Sequence, residues 1–335
     1  MAVRDLNHSA TKLTSLEGLG RQLLRSEALA SSRIEALSLS HRKLARAALD
    51  GHHDYKAQEV LANIGAMEEA VRIGKTADPI TPADILAIHG ALAIVPPLDK
   101  IAGRYREEQG WIGGASPPDA DYVGPPSDHV RPLVDDLCAF MNRDDLSPVV
   151  QAAMAHAQFE LIHPFGDGNG RVGRCLIHVL LRKRGLAERY VPPVSLVFGA
   201  NKDAYIAGLT NFRNDKVDDW VEQFGRALER SADKAADFSQ SVAELQEKWR
   251  ARLAPVRSDA ASLAITEHLP SFPCITVKTV ERLTGRSNPA ALRGLKQLED
   301  AGVLTRHQNR RRGDSWEAKE LFQLLDKFEK SAKTP

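Results

Sequence analysis

The chain has 335 residues, 27% of them charged, and a formal net charge of +1, a balance that excludes a global field directed at nucleic acid or a membrane surface. Its length implies two or three domains around a substantial core. Three widely spaced cysteines (Cys138, Cys175, Cys274) and no Cys-x-x-Cys argue against structural zinc and for a reducing, cytoplasmic setting, while the N-terminal stretch lacks the apolar run of a signal peptide or membrane span.

In chain order, residues 1–18 read as a loose polar arm. The pattern is helical from 19 to 49 and again from 56 to 73. Thr81 suits an N-cap with Pro82 at the first helical position, opening a short helix over 83–92. Gly103-Arg104-Tyr105-Arg106 and Trp111-Ile112-Gly113-Gly114 are two β-like pieces that read as a hairpin around 107–110, with a buried Trp111 as the plain packing alternative. A rigid Pro-rich segment over 120–126 follows, then an amphipathic helix over 130–142.

Residues 147–162 read as a buried helix, capped by Ser147 with Pro148 in its first turn and apolar almost all round. Pro164 ends it at His163. The run His163-Pro164-Phe165-Gly166-Asp167-Gly168-Asn169-Gly170-Arg171-Val172-Gly173-Arg174 then opens a second helix over 171–184, which Gly185 stops. A glycine-rich loop at a helix start presents free backbone N–H groups to an anion. Gly166, Gly168 and Gly170 permit the unusual dihedrals this needs. Asp167 can hold a divalent cation together with phosphate oxygens. Arg171 and Arg174, three apart in the first turn, can both flank one phosphate chain. His163 stands at the loop mouth, where a general base is wanted. These residues describe a nucleotide-phosphate site with a metal and a base.

Other readings of the run fail on context. Gly168-x-Gly170-x-x-Gly173 matches a dinucleotide fingerprint, but a helix precedes it rather than a strand. No Gly-x-x-x-x-Gly-Lys-Ser/Thr is present. His156, Glu160 and His163 share a helical face, yet the second Glu-x-x-His of a metal bundle is missing. A purely structural glycine turn leaves its Asp, Asn and two Arg unexplained.

Beyond the loop, a helix follows Lys202 to about Thr210. Residues 217–254 form a long helix whose charged later half is expected as an exposed helix or an oligomer surface. Residues 255–259 read as a linker. Helices over 260–268, 276–283 and 289–301, then a hairpin with Asn309-Arg310-Arg311-Arg312 at its tip, make a winged-helix pattern. Such a module binds DNA through the wing arginines and residues 289–296, or serves as a protein-interaction unit.

The run at 163–174 resembles the signature of the Fic family, His-Pro-Phe-x-Asp/Glu-Gly-Asn-Gly-Arg-x-x-Arg, at every defined position. The resemblance implies a mainly α Fic-type core with a short β-hairpin flap and a C-terminal winged helix. It divides the chain into an N-terminal helical region (1–75), a catalytic core (76–254) and a winged-helix domain (258–335). It implies transfer of AMP from ATP, with Mg²⁺, to a Ser, Thr or Tyr hydroxyl of a target protein. His163 then takes the proton and Asp167 binds Mg²⁺. Phe165, Gly166, Gly168, Asn169 and Gly170 belong to the nucleotide loop, and Arg171 and Arg174 bind the distal phosphates. Gly170 stands where the related Doc kinases carry Lys, which places the loop with the AMP-transferring branch.

Ser31-Ser32-Arg33-Ile34-Glu35-Ala36, read as lying within the first long helix, resembles the family's inhibitory motif Ser/Thr-x-x-x-Glu-Gly/Asn, with Ala36 departing at the last position. Glu35 would pair with Arg174 in place of a γ-phosphate. The piece from Gly103, Arg104, Tyr105 and Arg106 through Trp111, Ile112 and Gly113 is similar to the family's target-docking flap. Tyr205 and Asn201 are candidates for the adenosine pocket. Removal of AMP from a modified protein, transfer of another nucleotide, and a DNA-binding regulator with a degenerate core are the competing functions.

Overall fold

The computed structural model of the chain describes residues 2–9, 16–50, 54–253, 255–257, 260–308 and 313–332. Its first part contains helices α1 (Ala2–Ser9), α2 (Leu16–Ile34), α3 (His41–Asp50), α4 (Tyr55–Ile73) and α5 (Pro82–Leu92), strands β1 (Trp111–Ile112) and β2 (Tyr122–Val123), and helices α6 (Ser127–Met141), α7 (Pro148–Ile162), α8 (Asn169–Lys183), α9 (Val194–Ala200) and α10 (Lys202–Arg213). The long α11 (Val217–Leu253) leads to α12 (Ala261–His268), β3 (Cys274–Thr276), α13 (Val277–Thr284), α14 (Asn288–Asp300), β4 (Thr305–His307), β5 (Ser315–Glu317) and α15 (Lys319–Ser331). The architecture is mainly α, as expected. Among the described residues no helix is long and apolar enough to cross a membrane.

The pair α7–α8 is the buried centre. Ser147 Oγ accepts from Val150 N at 3.4 Å and Pro148 fills the first turn, as the residue types require. Lacking a broad polar face, α7 is covered on nearly every side, with Gln158 exposed and Ala152, Ala153, Ala155 and Phe159 fully buried. Helices α2, α4 and α5 pack against α8, and α10 and α11 against α7, with α9 lying between α2 and α11. One hydrophobic core runs from Val3 through the α7–α8 pair to Phe328.

A buried carboxylate fastens α2 to this centre. Glu27 has no exposed surface. It accepts from Ser195 N at 2.8 Å, Ser195 Oγ at 2.6 Å and His178 Nε2 at 3.0 Å. Removing it strands three buried donors. Glu27→Ala is therefore expected to cost about 3 kcal/mol or more, read as a drop in the denaturant midpoint; an unchanged midpoint would contradict this account of α2 docking.

Four readings of the sequence need correction. Residues 2–9 are helical rather than loose: Val3 and Leu6, one turn apart, are buried and α1 packs on α11. The first long helix does not run on to residue 49; it stops at Ile34, and Ala36 takes a left-handed conformation (φ 63°). That is the geometry that Gly or Asn adopts without strain. Ala36→Gly should thus raise stability by about 0.5–1 kcal/mol, measured by thermal or denaturant melts. The hairpin pairs Trp111 with Val123 and Ile112 with Tyr122, so 103–106 is not one of its strands. The later half of α11 is not an exposed helix: Phe238, Val242, Leu245, Trp249 and Leu253 recur at helical spacing and are buried, with Phe238 stacked on Phe328 of α15 at 4.5 Å.

The C-terminal elements form a three-stranded antiparallel sheet of order β3-β5-β4 beside α12, α13 and α14. Strand β3, which the sequence reading missed, pairs with β5. The hairpin tip, 309–312, and part of the expected linker, 258–259, lie outside the described residues. This region docks on α3 and α11.

Candidate active site

His163 caps α7 in a left-handed conformation (φ 48°), which turns the chain into the glycine loop. Its Nδ1 lies 3.3 Å from the Glu160 carbonyl. A carbonyl only accepts, so Nδ1 carries the proton and Nε2 keeps a lone pair. Burial, reinforced by the Arg106 charge, lowers the His163 pKa against opposing contributions from Glu160 O, Glu35 and Asp167. The neutral, proton-accepting form is favoured.

The loop is held from within. Phe165 N donates to Asn169 Oδ1 at 2.8 Å and Asn169 Nδ2 donates to Phe165 O at 2.7 Å. Phe165 is buried and stacks on the His89 ring at 3.8 Å. His89 Nδ1 accepts from Gly103 N at 3.1 Å, so Nε2 is the protonated nitrogen, and it donates to Asp167 O at 3.2 Å. Burial pushes the His89 pKa down to about 4, which keeps this bridge neutral. Phe165 and Asn169 thus shape the loop from within. Gly168 caps α8 with φ 83°.

Two arginines face the loop differently. Arg171 is buried, with Nη2 3.4 Å from Asp167 Oδ1 and Nη1 4.0 Å from Glu59, while its Nε and Nη1 lack hydrogen-bond partners among the described residues. Such orphaned donors beside an exposed carboxylate fit a phosphate group. Asp167, 59% exposed, offers the hard oxygen that Mg²⁺ accepts alongside phosphate oxygens and water. Among the described residues no cluster of three or more His, Cys, Asp or Glu could hold a metal.

Arg174, 1% exposed, is already engaged. Nε donates to Ser31 Oγ at 2.8 Å, and Nη2 donates to Ser31 O at 3.0 Å and to Glu35 Oε1 at 2.7 Å. Burial alone would raise the Glu35 pKa, but Arg174 outweighs it and holds the carboxyl below its ordinary value. Glu35 therefore stays ionised at neutral pH. A Cβ on Gly170 would overlap Glu35 Oε1, so this glycine leaves the space that the carboxylate fills. Lys202 Nζ donates to Ile34 O at 2.6 Å and caps the end of α2.

A cleft of about 390 Å³ joins these groups, lined among others by Glu35, His163, Gly170, Arg174, Tyr205 and Gly113. The hairpin forms one rim: Ile112, Gly113 and Tyr122 line the cleft, and Trp111 is 39% exposed, not buried. Tyr105 and Arg106 are scaffold beneath it, whereas Arg104 is exposed. Tyr105 lies 5.9 Å from the Phe165 ring. Arg106, 8% exposed, donates to His163 O and Glu108 O at 2.8 Å and to Pro125 O at 2.6 Å. The structure therefore has Trp111 and Ile112 in the hairpin, with Ile112 and Gly113 at the cleft, and places Gly103, Arg104, Tyr105 and Arg106 outside its strands. Tyr205 reaches the cleft but is buried, with its hydroxyl 2.7 Å from His156 Nε2. Asn201 does not line the cleft; it caps α10 by accepting from Ala204 N at 3.1 Å.

Sequence reasoning missed Lys202, Leu209, Thr210 and Arg213 in the cleft wall. No motif marks them, because they reach the site only through the packing of α10 on α11. It weighed Glu160 only as a metal ligand. Burial pushes this residue's pKa up to about 7, against the pull of Arg174 and with the push of Glu35.

Residues 79–181 match the Fic/DOC family, and residues 1–72 match the Fic/DOC family N-terminal region. The chain is 36% identical over 152 residues to a protein adenylyltransferase Fic of Aedes aegypti, covering 44% of this chain and 28% of that protein. It is 32% identical over 167 residues to one of Nematostella vectensis, covering 47% and 34%. The chain thus spans about a third of the length of these curated relatives. A Fic family protein from Desulfovibrio desulfuricans G20 shares the fold over 95% of this chain and 93% of its own, at a TM-score of 0.57 and 24% identity. Fic-1 of Caenorhabditis elegans superposes over 71% of each chain, with the same score and identity.

Proposed function

The chain belongs to the Fic/DOC family, and from that premise we propose that it is a protein adenylyltransferase held back by its own Glu35. The observation that carries this reading is the single cleft into which His163, Gly170, Arg174 and Glu35 all converge. The relatives named protein adenylyltransferase support the choice of AMP as the transferred group.

The target hydroxyl oxygen attacks the α-phosphorus of ATP; the new P–O bond forms as the bond to the β-phosphate bridging oxygen breaks, and pyrophosphate leaves. His163 Nε2 takes the hydroxyl proton. The free donors of Arg171 and the loop amides hold the phosphate chain in line. Asp167 would hold Mg²⁺, which supplies charge neutralisation of the phosphates when bound. With Glu35 on Arg174, the second arginine is closed to the distal phosphate and the α-phosphate is misplaced.

The exposed Trp111, Ile112 and Val123 offer an apolar edge on which an extended target segment can lie. We read the C-terminal helices with their β3-β5-β4 sheet as a winged helix. Supplying Glu35→Gly protein with ATP labelled on the α- or the γ-phosphate tests the reaction. Label retained on protein only from the α position supports adenylyl transfer. Label only from the γ position would make the enzyme a kinase and overturn the proposal.

A further inference from the structure

Arg33 stands in the last turn of α2, two residues before Glu35. Its Nη2 donates to Leu39 O at 2.8 Å, and its Nη1 pairs with Glu329 of α15. His41, the first residue of α3, places Nε2 3.4 Å from the other Glu329 oxygen. One carboxylate of the C-terminal region thus grips both ends of the turn that carries Glu35. Inside the turn, Glu35 N and Leu37 N donate to Ser32 O at 3.1 and 2.9 Å, and Ala36 N donates to Arg33 O at 2.9 Å.

The grip is not a loose surface pair. Arg33 and Glu329 are 24% and 27% exposed and His41 only 5%, which limits screening by solvent. Against the upward push of its burial, hydrogen bonds from His41 and Arg33 hold the Glu329 pKa down to about 2, so it is charged throughout the physiological range. A second contact fixes the next helix. Glu317 of β5, with no exposed surface, pairs with Arg46 and lies 3.5 Å from Arg42 of α3 and 3.1 Å from His307 of β4.

We propose that the C-terminal region is the latch of the autoinhibitory turn: Glu329, by holding Arg33 and His41, sets how often Glu35 leaves Arg174. Two sites are then coupled through one bistable element, the 35–40 turn. A partner that draws α15 away from α2 releases the active site, and a bound nucleotide loosens the seam in return. This inference rests on the adenylyltransferase reading for its consequence, but the latch has a readout of its own.

The test uses the full chain: unmutated, Glu329→Gln, the charge-keeping Glu329→Asp, and Glu320→Gln. Glu320 fastens α15 to α11 through Arg252 and Trp249 without touching the turn. Amide exchange at Glu35, Ala36 and Leu37 is followed beside self-labelling from α-labelled ATP, the labelling also in a Glu35→Gly background. Glu329→Gln is expected to speed the three amides and the labelling about tenfold. Glu329→Asp falls between, Glu320→Gln leaves both unchanged, and Glu329→Gln adds nothing once Glu35 is glycine. Unchanged exchange in a Glu329→Gln protein that melts like its parent overturns the latch, as does equal acceleration by Glu320→Gln. Faster exchange with no labelling in any form, Glu35→Gly included, supports the latch and overturns the adenylyltransferase reading.

Discussion

Replacing Glu35 with glycine is expected to raise AMP transfer by roughly ten- to a hundredfold. The carboxylate accepts from Arg174 Nη2 at 2.7 Å and fills the space beside Gly170. A charge-assisted hydrogen bond of this kind is worth about 1.5–3 kcal/mol, and each 1.4 kcal/mol is about tenfold. That energy must be lost before a distal phosphate can take the same guanidinium. Arg174 keeps its place in the variant, because Ser31 still accepts from it through Oγ and O. Stability should change little, since Glu35 is 38% exposed and faces the cleft. Initial rates of labelling from α-labelled ATP measure the gain. A rate equal to that of the unmutated protein would remove Glu35 from the role of brake.

Removing the imidazole should have the opposite and larger effect. In the Glu35→Gly background, His163→Ala is expected to lower transfer by about 10²–10⁴, the usual worth of a positioned general base. Binding of ATP should survive, because the proposed phosphate donors are the loop amides, Arg171 and Arg174 rather than His163. The pH profile carries a second signature. Burial lowers the His163 pKa, so the imidazole is neutral above that lowered value and protonated below it. Transfer should therefore be flat at neutral pH and fall as pH drops through a midpoint below the ordinary histidine value. Loss of ATP binding in the alanine variant, with no effect on a single-turnover rate at saturation, would assign His163 to binding.

The parts of this protein that were legible in its sequence are those whose chemistry is contiguous. The loop from His163 to Arg174 holds its carboxylate, glycines and arginines in one run, and Ser147, Pro148, Pro164 and Gly185 punctuate the helices beside it. What was illegible is what other elements impose. Nothing in Ile34-Glu35-Ala36 stops a helix, and alanine is the best helix former; the stop comes from Lys202 on Ile34 O and from Arg33 reaching Leu39 O. Arg106 looked like a surface residue of a flap. It is buried because the carbonyls of His163, Glu108 and Pro125 converge on it. Strands of two residues carry no alternation to read, so the pairing of Trp111 with Val123 was beyond pattern alone. The burial of Phe238, Val242, Leu245 and Trp249 did have a signal in their helical spacing, which the surrounding charges masked.

The most direct measurement compares label transferred from α-labelled ATP with Mg²⁺ in three forms of the full chain: unmutated, Glu35→Gly, and Glu35→Gly with His163→Ala. Self-labelling is a sufficient readout. Weak label in the first, strong label in the second and none in the third is the result this account predicts. Equal label in all three, or label that persists without His163, would contradict it.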